Sequence, residues 1–293
     1  IQRSRGLGDV YKRQGPIQTG WVMPSVDLDE MGESAKRCRR RIVDMVYKAQ
    51  SGHPGGSLSC IDILVSLYRG VMRFDPENPD WDDRDRFIMS KGHASPAVYS
   101  ILRDLDVLTD QDLDGFRSMG SVCQGHVDRK WTRGVDFSAG SLGMGLSFGL
   151  GSALAARLDG SERHTWVLLG DGEIQEGQIW EAAMATTHLE AGNITAIVDK
   201  NRIQNDNFVD EQMRVGDISS KFESFGWEVI EVDGHNLIDV TAALERARSN
   251  GVATAIVADT VKGKGVSFME NNPAFHGAAP NDEQYATAME ELA

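Results

Sequence analysis

An aspartate between two glycines, Asp171 in Gly170-Asp171-Gly172, is followed thirty residues later by Asn201. Each of these polar residues comes directly or shortly after an apolar run, over residues 166–169 and 194–198 respectively, with an amphipathic segment between the runs. This order predicts strand, loop, helix and strand, with an oxygen ligand at the carboxyl end of each strand, where ligands bind in open α/β sheets. Carboxylate, amide and backbone carbonyl oxygens suit Mg²⁺ or Ca²⁺, and the glycines permit close approach of a phosphate. The pattern therefore favours a cation that holds a diphosphate, although a tight strand-to-helix turn with a strand-end asparagine is the simpler alternative.

Histidines next to glycine form a second group with chemical potential. The chain has seven histidines, and His53, His93, His126 and His276 each lie in a glycine-framed loop. One such histidine alone would more often make a structural hydrogen bond, but four in the same type of loop favour a role in proton transfer or ligand binding. The remaining three lie in a surface turn, at a helix end and in an Asp-Gly-His turn, and we expect them to be structural: His164, His188 and His235.

The elements that must position these residues alternate between strands and helices. We predict strands over 86–89, 166–169, 194–198, 227–232 and 253–259. We predict helices over 29–50, 96–105, 141–158, 174–188 and 236–248, a further helix capped by Ser57, and long loops over 120–140 and 202–219. Because no Asn-Gly hairpin signal separates the strands, we expect an α/β fold with a doubly wound, mostly parallel sheet and helices on both faces.

Composition narrows the class of protein. The chain has 293 residues, 41% of them hydrophobic and 25% charged, as in ordinary globular proteins. A net charge of −14 argues against nucleic acid or an anionic membrane surface as a partner. Three cysteines offer neither a disulfide framework nor metal spacing, and no apolar run reaches transmembrane length, so we expect a cytoplasmic location.

The first residues look foreign to the rest of the chain. The segment Asp9 to Gln14 back-translates to a sequence that resembles a transposon-end sequencing adapter, with a disordered basic N-terminus as the alternative. We therefore expect residues 1–22 to be non-native or disordered and residues 23–293 to form a single diphosphate- and metal-binding domain. The native start could be Met23, Met31 or a residue lost upstream.

Six motifs, taken together, resemble those of the transketolase family over about residues 31–280. They are Ser51 to Gly56, Lys91 to Ala94, Gly125-His126, Gly140 to Gly145, Gly170 to Gly177 and His276-Gly277. The resemblance implies a fold that binds thiamine diphosphate (ThDP), a cofactor that supplies a carbanion and then acts as an electron sink. It implies transfer of a two-carbon ketol unit from a ketose phosphate to an aldose phosphate.

The resemblance also implies individual roles. Asp171 and Asn201 would bind the metal through their side chains and Ile203 through its carbonyl oxygen, and His53, His126 and His276 would face the sugar near its reacting end. The residues implied in cofactor binding are His93, Gly140, Leu142, Gly172 and Glu176. Glu173 suits the first turn of a helix in any case and favours a structural role. Lys262 and Lys264 would either approach phosphate or lie in a solvated loop.

Full-length members of the family also carry a pyrimidine-binding domain and a C-terminal domain. We therefore expect this chain to be the N-terminal subunit of a split transketolase, inactive alone and assembled, two copies of each, with a C-terminal subunit. A truncated fragment is the alternative. Three further functions remain open: a transketolase for a modified sugar, a 2-oxo acid dehydrogenase α-type subunit, and a non-catalytic regulatory or assembly subunit.

Overall fold

Five parallel strands form the centre of the fold. The structure, a computed structural model, describes residues 26–293, and the segment 1–22 set apart above lies outside them. The strands are β1 (Arg86–Met89), β2 (Thr165–Gly170), β3 (Ile194–Lys200), β4 (Glu228–Asp233) and β5 (Thr254–Asp259). Their order across the sheet is β1-β2-β3-β5-β4, and every neighbouring pair is parallel.

Helices cover both faces of this sheet. They are α1 (Leu28–Ala49), α2 (Pro54–Ser66), α3 (Ser95–Asp104), α4 (Asp110–Asp114), α5 (Met144–Asp159), α6 (Gly177–His188), α7 (Val209–Gln212), α8 (Ile218–Ser224), α9 (Leu237–Ser249) and α10 (Asp282–Glu291). Alternate residues of β2 enter two separate apolar cores, Trp166 and Leu168 into one and Val167 and Leu169 into the other. All four are fully buried. The expected doubly wound α/β fold is confirmed, since a strand buried on both sides requires helices on both faces.

Several local expectations were wrong. Ser57 does not cap α2: the helix begins at Pro54 with His53 at the N-cap, and the Ser57 hydroxyl donates 2.7 Å back to the His53 carbonyl. Proline suits the first position of a helix because its missing N–H would be unpaired there anyway. His164 lies in no surface turn, since it is buried and its Nε2 is 2.8 Å from Thr195 Oγ1.

Several boundaries also differ from the sequence prediction, among them the start of α6, which is Gly177 instead of residue 174. Helix α5 begins at Met144 instead of residue 141, because Gly143 adopts a left-handed backbone with φ of 83°. A Cβ at Gly143 would lie 2.7 Å from the Cβ of Glu176, so both the conformation and the close approach require glycine. The loop over 202–219 contains α7 and the start of α8.

The register of β2 and β3 sets the position of the site. Gly170 is paired with Asp199, and the Asp171 amide donates 3.3 Å to the Asp199 carbonyl. The residues that follow these two strands therefore meet at the carboxyl edge of the sheet. No helix in the described residues is long and apolar enough to cross a membrane.

Candidate active site

A cavity of about 400 Å³ opens at the carboxyl ends of β1, β2 and β3, and we call it the strand-tip cavity. All eleven residues that the sequence analysis selected for cofactor, metal or substrate lie in its wall. They are His53, His93, His126, Gly140, Leu142, Asp171, Gly172, Glu176, Asn201, Ile203 and His276. Residues separated by more than 200 positions in the chain are therefore brought to one place.

The corner between β2 and β3 holds the three predicted metal ligands. The carboxylate of Asp171 lies against the turn after β3, where its Oδ2 accepts a 2.5 Å hydrogen bond from the amide of Arg202. Its Oδ1 accepts from the amide of Gly172 at 2.9 Å. Asp171, Asn201 and Ile203 are each at most 4% exposed. The turn thus holds the Asp171 carboxylate beside Asn201 and Ile203, the two residues next to Arg202 in the chain.

Two hydrogen bonds from its amide nitrogen fix the orientation of the Asn201 side chain. Its amide nitrogen donates to Asp199 Oδ2 at 3.0 Å and to Ser59 Oγ at 3.2 Å. The amide oxygen of Asn201 consequently faces away from Asp199, and it accepts from the Ile203 amide at 3.1 Å. The side chain therefore presents an oxygen, which is the atom that a hard cation binds.

The donor chemistry of this corner fits a divalent cation. Burial, aided by the nearby charge of Asp199, raises the pKa of Asp171 to about 6, as expected for a carboxylate with too little positive charge around it. Within residues 26–293, no group of three or more His, Cys, Asp and Glu side chains could hold a metal. A cation here would therefore need the mixed set of carboxylate, amide and carbonyl oxygens.

Lys262 links this corner to a histidine. It is 2% exposed, and its Nζ is 2.7 Å from both the Ile203 carbonyl oxygen and the Nδ1 of His276. Burial and the charge of Lys91 lower the pKa of Lys262 to about 7. The alternative of a solvated basic loop is therefore wrong for Lys262, whereas Lys264 is partly exposed and 3.7 Å from Glu270. A carbonyl oxygen has two lone pairs, so the hydrogen bond from Lys262 leaves Ile203 one for a cation.

Four imidazoles gather on the other side of the cavity, and we call them the histidine cluster: His53, His93, His126 and His276. The ring centre of His53 lies 5.1 Å from that of His93, 5.5 Å from His276 and 6.4 Å from His126. The Nδ1 of His53 is buried and has no hydrogen-bond partner among the described residues. An unsatisfied buried nitrogen in a cavity wall indicates that a ligand completes its bonding.

Burial favours the neutral form of every ring in the histidine cluster. Burial lowers the pKa of His53 to about 4 and, together with Lys262, that of His276 to about 3. Burial also lowers the pKa values of His93 and His126. A neutral imidazole has one donor and one acceptor nitrogen, so each ring can bind a hydroxyl group and accept a proton.

Glu173 connects three chain segments next to the cavity. Its Oε1 accepts from the Ser90 hydroxyl at 2.5 Å and the Gly143 amide at 2.9 Å, while its Oε2 accepts from the Gly170 amide at 3.0 Å. Burial raises its pKa. The sequence predicted only a structural role for Glu173 in the first turn of a helix. In the structure, its carboxylate also holds the loop before α5 against the end of β2.

A buried ion pair that the sequence did not reveal joins Lys91, in the cavity wall, to Asp199, which lies outside it. Lys91 donates to Asp199 and, at 2.8 Å, to the Gly56 carbonyl, while Asp199 also accepts from Ser59 at 2.5 Å and from Thr260. Burial opposes the charge of Lys91, but Asp199 outweighs it and raises the lysine pKa. A signal was present, since Asp199 ends an apolar strand and Lys91 follows one closely, at the edge where ligands collect.

Comparison with known proteins identifies the family. Residues 31–293 match the family described as transketolase, thiamine diphosphate binding domain. The chain belongs to the transketolase family. It is accordingly part of a transferase, and the resemblance read from the six motifs is confirmed.

The relatives of this transketolase chain described below differ in length. It is 38% identical over 268 residues to an apulose-4-phosphate transketolase subunit from Phocaeicola vulgatus, covering 91% of this chain and 95% of that protein. It is 37% identical to 6-deoxy-6-sulfo-D-fructose transketolase subunit SqwG of Clostridium sp., covering 90% and 96%. The crystal structure of Campylobacter jejuni transketolase superposes with a TM-score of 0.84 at 34% identity, but the match covers 91% of this chain and only 43% of that one. The chain thus spans nearly all of two subunit-type relatives and under half of the longer enzyme.

Proposed function

We propose that this chain is the ThDP-binding subunit of a split transketolase that transfers a two-carbon ketol unit from a ketose phosphate to an aldose phosphate. The observation that carries the proposal is the meeting, in one cavity, of the oxygen-donor corner around Asp171 and the histidine cluster. An oxygen corner of this kind suits a diphosphate with its metal, and neutral imidazoles suit a sugar. The domain formed by residues 23–293 would provide both.

The residues of the cavity suit the cofactor in detail. Asp171, Asn201 and the carbonyl of Ile203 would hold Mg²⁺, or Ca²⁺, with the diphosphate. Gly172, His93, Gly140, Leu142 and Glu176 would contact the cofactor itself. When bound, ThDP supplies the nucleophilic carbon that takes up the two-carbon unit.

The histidine cluster would bind and orient the sugar. Lys262 Nζ lies 2.7 Å from Nδ1 of His276, so a lysine donor would place the proton of that ring on Nε2, from which it could donate to a sugar hydroxyl. His53 has a free Nδ1 and would complete its bonding with the same substrate. His126, the most exposed of the candidate catalytic histidines, lies where an incoming sugar would first meet the cluster. The lowered pKa values of His53 and His126 favour the neutral ring, whose acceptor nitrogen can take a hydrogen bond from a sugar hydroxyl near neutral pH.

A partner subunit would close the cavity. One side of α5 is an exposed stripe of uncharged residues at alternating spacings of four and three: Met144, Phe148, Gly151, Ala155 and Leu158. This spacing is the pattern of a helix that packs against another helix. Leu142, just before α5, is also exposed and lines the cavity, so the stripe continues into the site. We propose that a C-terminal transketolase subunit covers it, with two copies of each chain in the assembly, and that the isolated chain is inactive.

The substrates would be sugar phosphates or a closely related modified sugar. The names of the two subunit-type relatives, one for apulose 4-phosphate and one for a sulfo-sugar, support a specialised substrate. The three cysteines are buried free thiols, which supports a reducing compartment such as the cytoplasm.

Calorimetry tests the proposal directly. ThDP and Mg²⁺ are titrated together into the complex of this chain with its partner subunit, using wild type, Asp171→Ala and Asp259→Ala. Asp259 ends the neighbouring strand β5 and forms an exposed pair with Arg202, so its variant controls for loss of a strand-end carboxylate. We expect Asp171→Ala to weaken metal-dependent ThDP binding by about 100-fold, and Asp259→Ala to leave it within about twofold. Absence of metal-dependent binding in the wild-type complex, or of ketol transfer by it, would overturn the proposal.

A further inference from the structure

Arg117 occupies a fixed position in the loop between α4 and α5. Its backbone has φ of 61°, a left-handed conformation that is uncommon for a residue with a side chain. The Arg117 amide donates 2.9 Å to the Cys123 carbonyl, which closes the loop, and the preceding Phe116 is buried. The loop therefore fixes the direction in which the exposed arginine leaves the surface.

The guanidinium group lies beside the loop that carries His126 into the strand-tip cavity. It packs against Gly125, where a Cβ would fall 3.2 to 3.3 Å from three of its atoms. The next residue, His126, lines the cavity. The charge of Arg117 also reaches His53 and His126 strongly enough to lower both of their pKa values, after the larger effect of burial.

Arg117 is one of three exposed arginines that form no ion pair with a carboxylate among residues 26–293, with Arg129 and Arg157, and it is the one that lies against Gly125, next to the cavity residue His126. By contrast, the exposed Arg133, Arg202 and Arg246 each pair with a carboxylate. In a chain of net charge −14, an arginine beside a polar cavity without an acidic partner is conspicuous. Its planar group has five N–H donors and suits a phosphate or sulfonate.

We propose that Arg117 binds the anionic group of the sugar substrate, so that this chain, and not only its partner, recognises the charged end of the sugar. The inference rests on the proposed function, because it takes the histidine cluster to hold the hydroxyls of the same molecule. Phosphate and sulfonate share the required chemistry, a compact oxyanion that accepts several hydrogen bonds. Arg117 would then be a residue that sets specificity for charged over neutral sugars.

The test uses the complex with the partner subunit, in wild type and three variants: Arg117→Ala, Arg117→Lys and Arg246→Ala. Arg246 is an exposed arginine of α9 that pairs with Glu228, so it controls for the loss of one positive charge. Steady-state kinetics compare ribose 5-phosphate with ribose as acceptor. We expect Arg117→Ala to raise KM for ribose 5-phosphate about tenfold or more and to leave KM for ribose within about twofold. Arg117→Lys should lie between wild type and Arg117→Ala, and Arg246→Ala should match wild type.

A second set of donors distinguishes the two anions. Fructose 6-phosphate and 6-deoxy-6-sulfofructose are compared as donors in wild type and Arg117→Ala. The anion that Arg117 binds is the one whose donor sugar shows the larger increase in KM in Arg117→Ala. Equal effects of Arg117→Ala on ribose and ribose 5-phosphate would overturn the proposal, since the arginine would then act only on the histidines. No effect on either would overturn it as well.

A measurement without turnover separates this inference from the proposed function. Inorganic phosphate is titrated into the isolated chain while the imidazole NMR signals of His53 and His126 are followed, and melting temperatures verify that each variant is folded. If phosphate shifts these signals in the isolated wild-type chain but not in Arg117→Ala, while the complex shows no ketol transfer, the anion site is supported and the proposed function is refuted. Ketol transfer with shifts that persist in Arg117→Ala would refute the anion site alone.

Discussion

Lys91 and Asp199 form an ion pair that is almost entirely removed from solvent, with side-chain exposures of 2% and 0%. The pair lies directly under Asn201, whose amide nitrogen donates to the same carboxylate oxygen that accepts from Lys91. The orientation of a candidate metal ligand thus depends on the charge of Asp199, which lies outside the cavity wall.

Replacing Asp199 by asparagine should be strongly destabilising. The change leaves Lys91 buried without a counter-charge, and breaking one side of a buried pair costs about 3–5 kcal/mol. The free energy of unfolding from urea denaturation measures this cost. Asp259→Asn is the matched control, because its ion pair with Arg202 is 53% exposed on both sides and should contribute less than about 1 kcal/mol. Equal losses in the two variants would contradict a special role for the buried pair.

Glu173→Gln should loosen the joint between the loop before α5 and the end of β2. A glutamine amide directed at the Gly170 N–H would place two donors together, and losing a hydrogen bond to a charged group costs about 1.5–3 kcal/mol. We expect lower stability together with weaker ThDP binding, measured by denaturation and calorimetry on the same samples. Glu181→Gln, on the exposed side of α6, should change neither quantity. Unaltered ThDP affinity in a destabilised Glu173→Gln protein would restrict Glu173 to a purely structural role.

His164 should make stability depend on pH. Burial lowers its folded pKa to about 4, below an unfolded value of about 6.5, so the unfolded chain binds more protons between these values. The contribution is fully present above about pH 6.5 and is lost as pH falls towards 4, by at most about 1.4 kcal/mol per pH unit. Urea midpoints at pH 7.5, 6.5, 5.5 and 4.5 measure this slope. His164→Gln should be less stable at pH 7.5 but have a shallower slope, and parallel curves for the two proteins would refute the prediction.

Phe148→Asp should prevent assembly without unfolding the chain. Phe148 is 39% exposed on α5, so a carboxylate there is tolerated in the free chain but would be buried without a partner in a packed interface. Sedimentation velocity with the C-terminal subunit is expected to give the larger species for wild type and separate subunits for the variant. Ile238→Asp, at a 60% exposed apolar position of α9, provides the control. Normal assembly of Phe148→Asp would exclude this side of α5 as the interface.

Local patterns were sufficient to predict the sheet and to select eleven residues that line the cavity. Strand β1 was predicted at its observed bounds, and the other strands differ by one or two residues, because apolar runs that end in polar residues define parallel buried strands. The four histidines could be grouped because each lies beside glycine in a loop. These signals are contained within a few neighbouring positions.

Features that depend on distant contacts could not be read in this way. His164 resembles a surface residue in its charged sequence context, yet the packing of β2 beside β3 buries it against Thr195. The burial of Lys262 results from Ile203 and His276, which lie 59 and 14 positions away. The beginning of α5 was misplaced because the amide of Gly143 is held by Glu173, thirty residues later.

The pairing of Gly170 with Asp199 has a thermodynamic consequence for the enzyme's life cycle. The oxygen-donor corner exists only once the crossover from β2 through α6 to β3 is complete, so a coenzyme that binds there selects the finished sheet over every partly folded form. At a free concentration 100 times its dissociation constant, such a ligand adds about 2.7 kcal/mol to the free energy of unfolding. The supply of vitamin B1 would then affect both the resistance of the polypeptide to proteolysis and the catalytic rate of the enzyme.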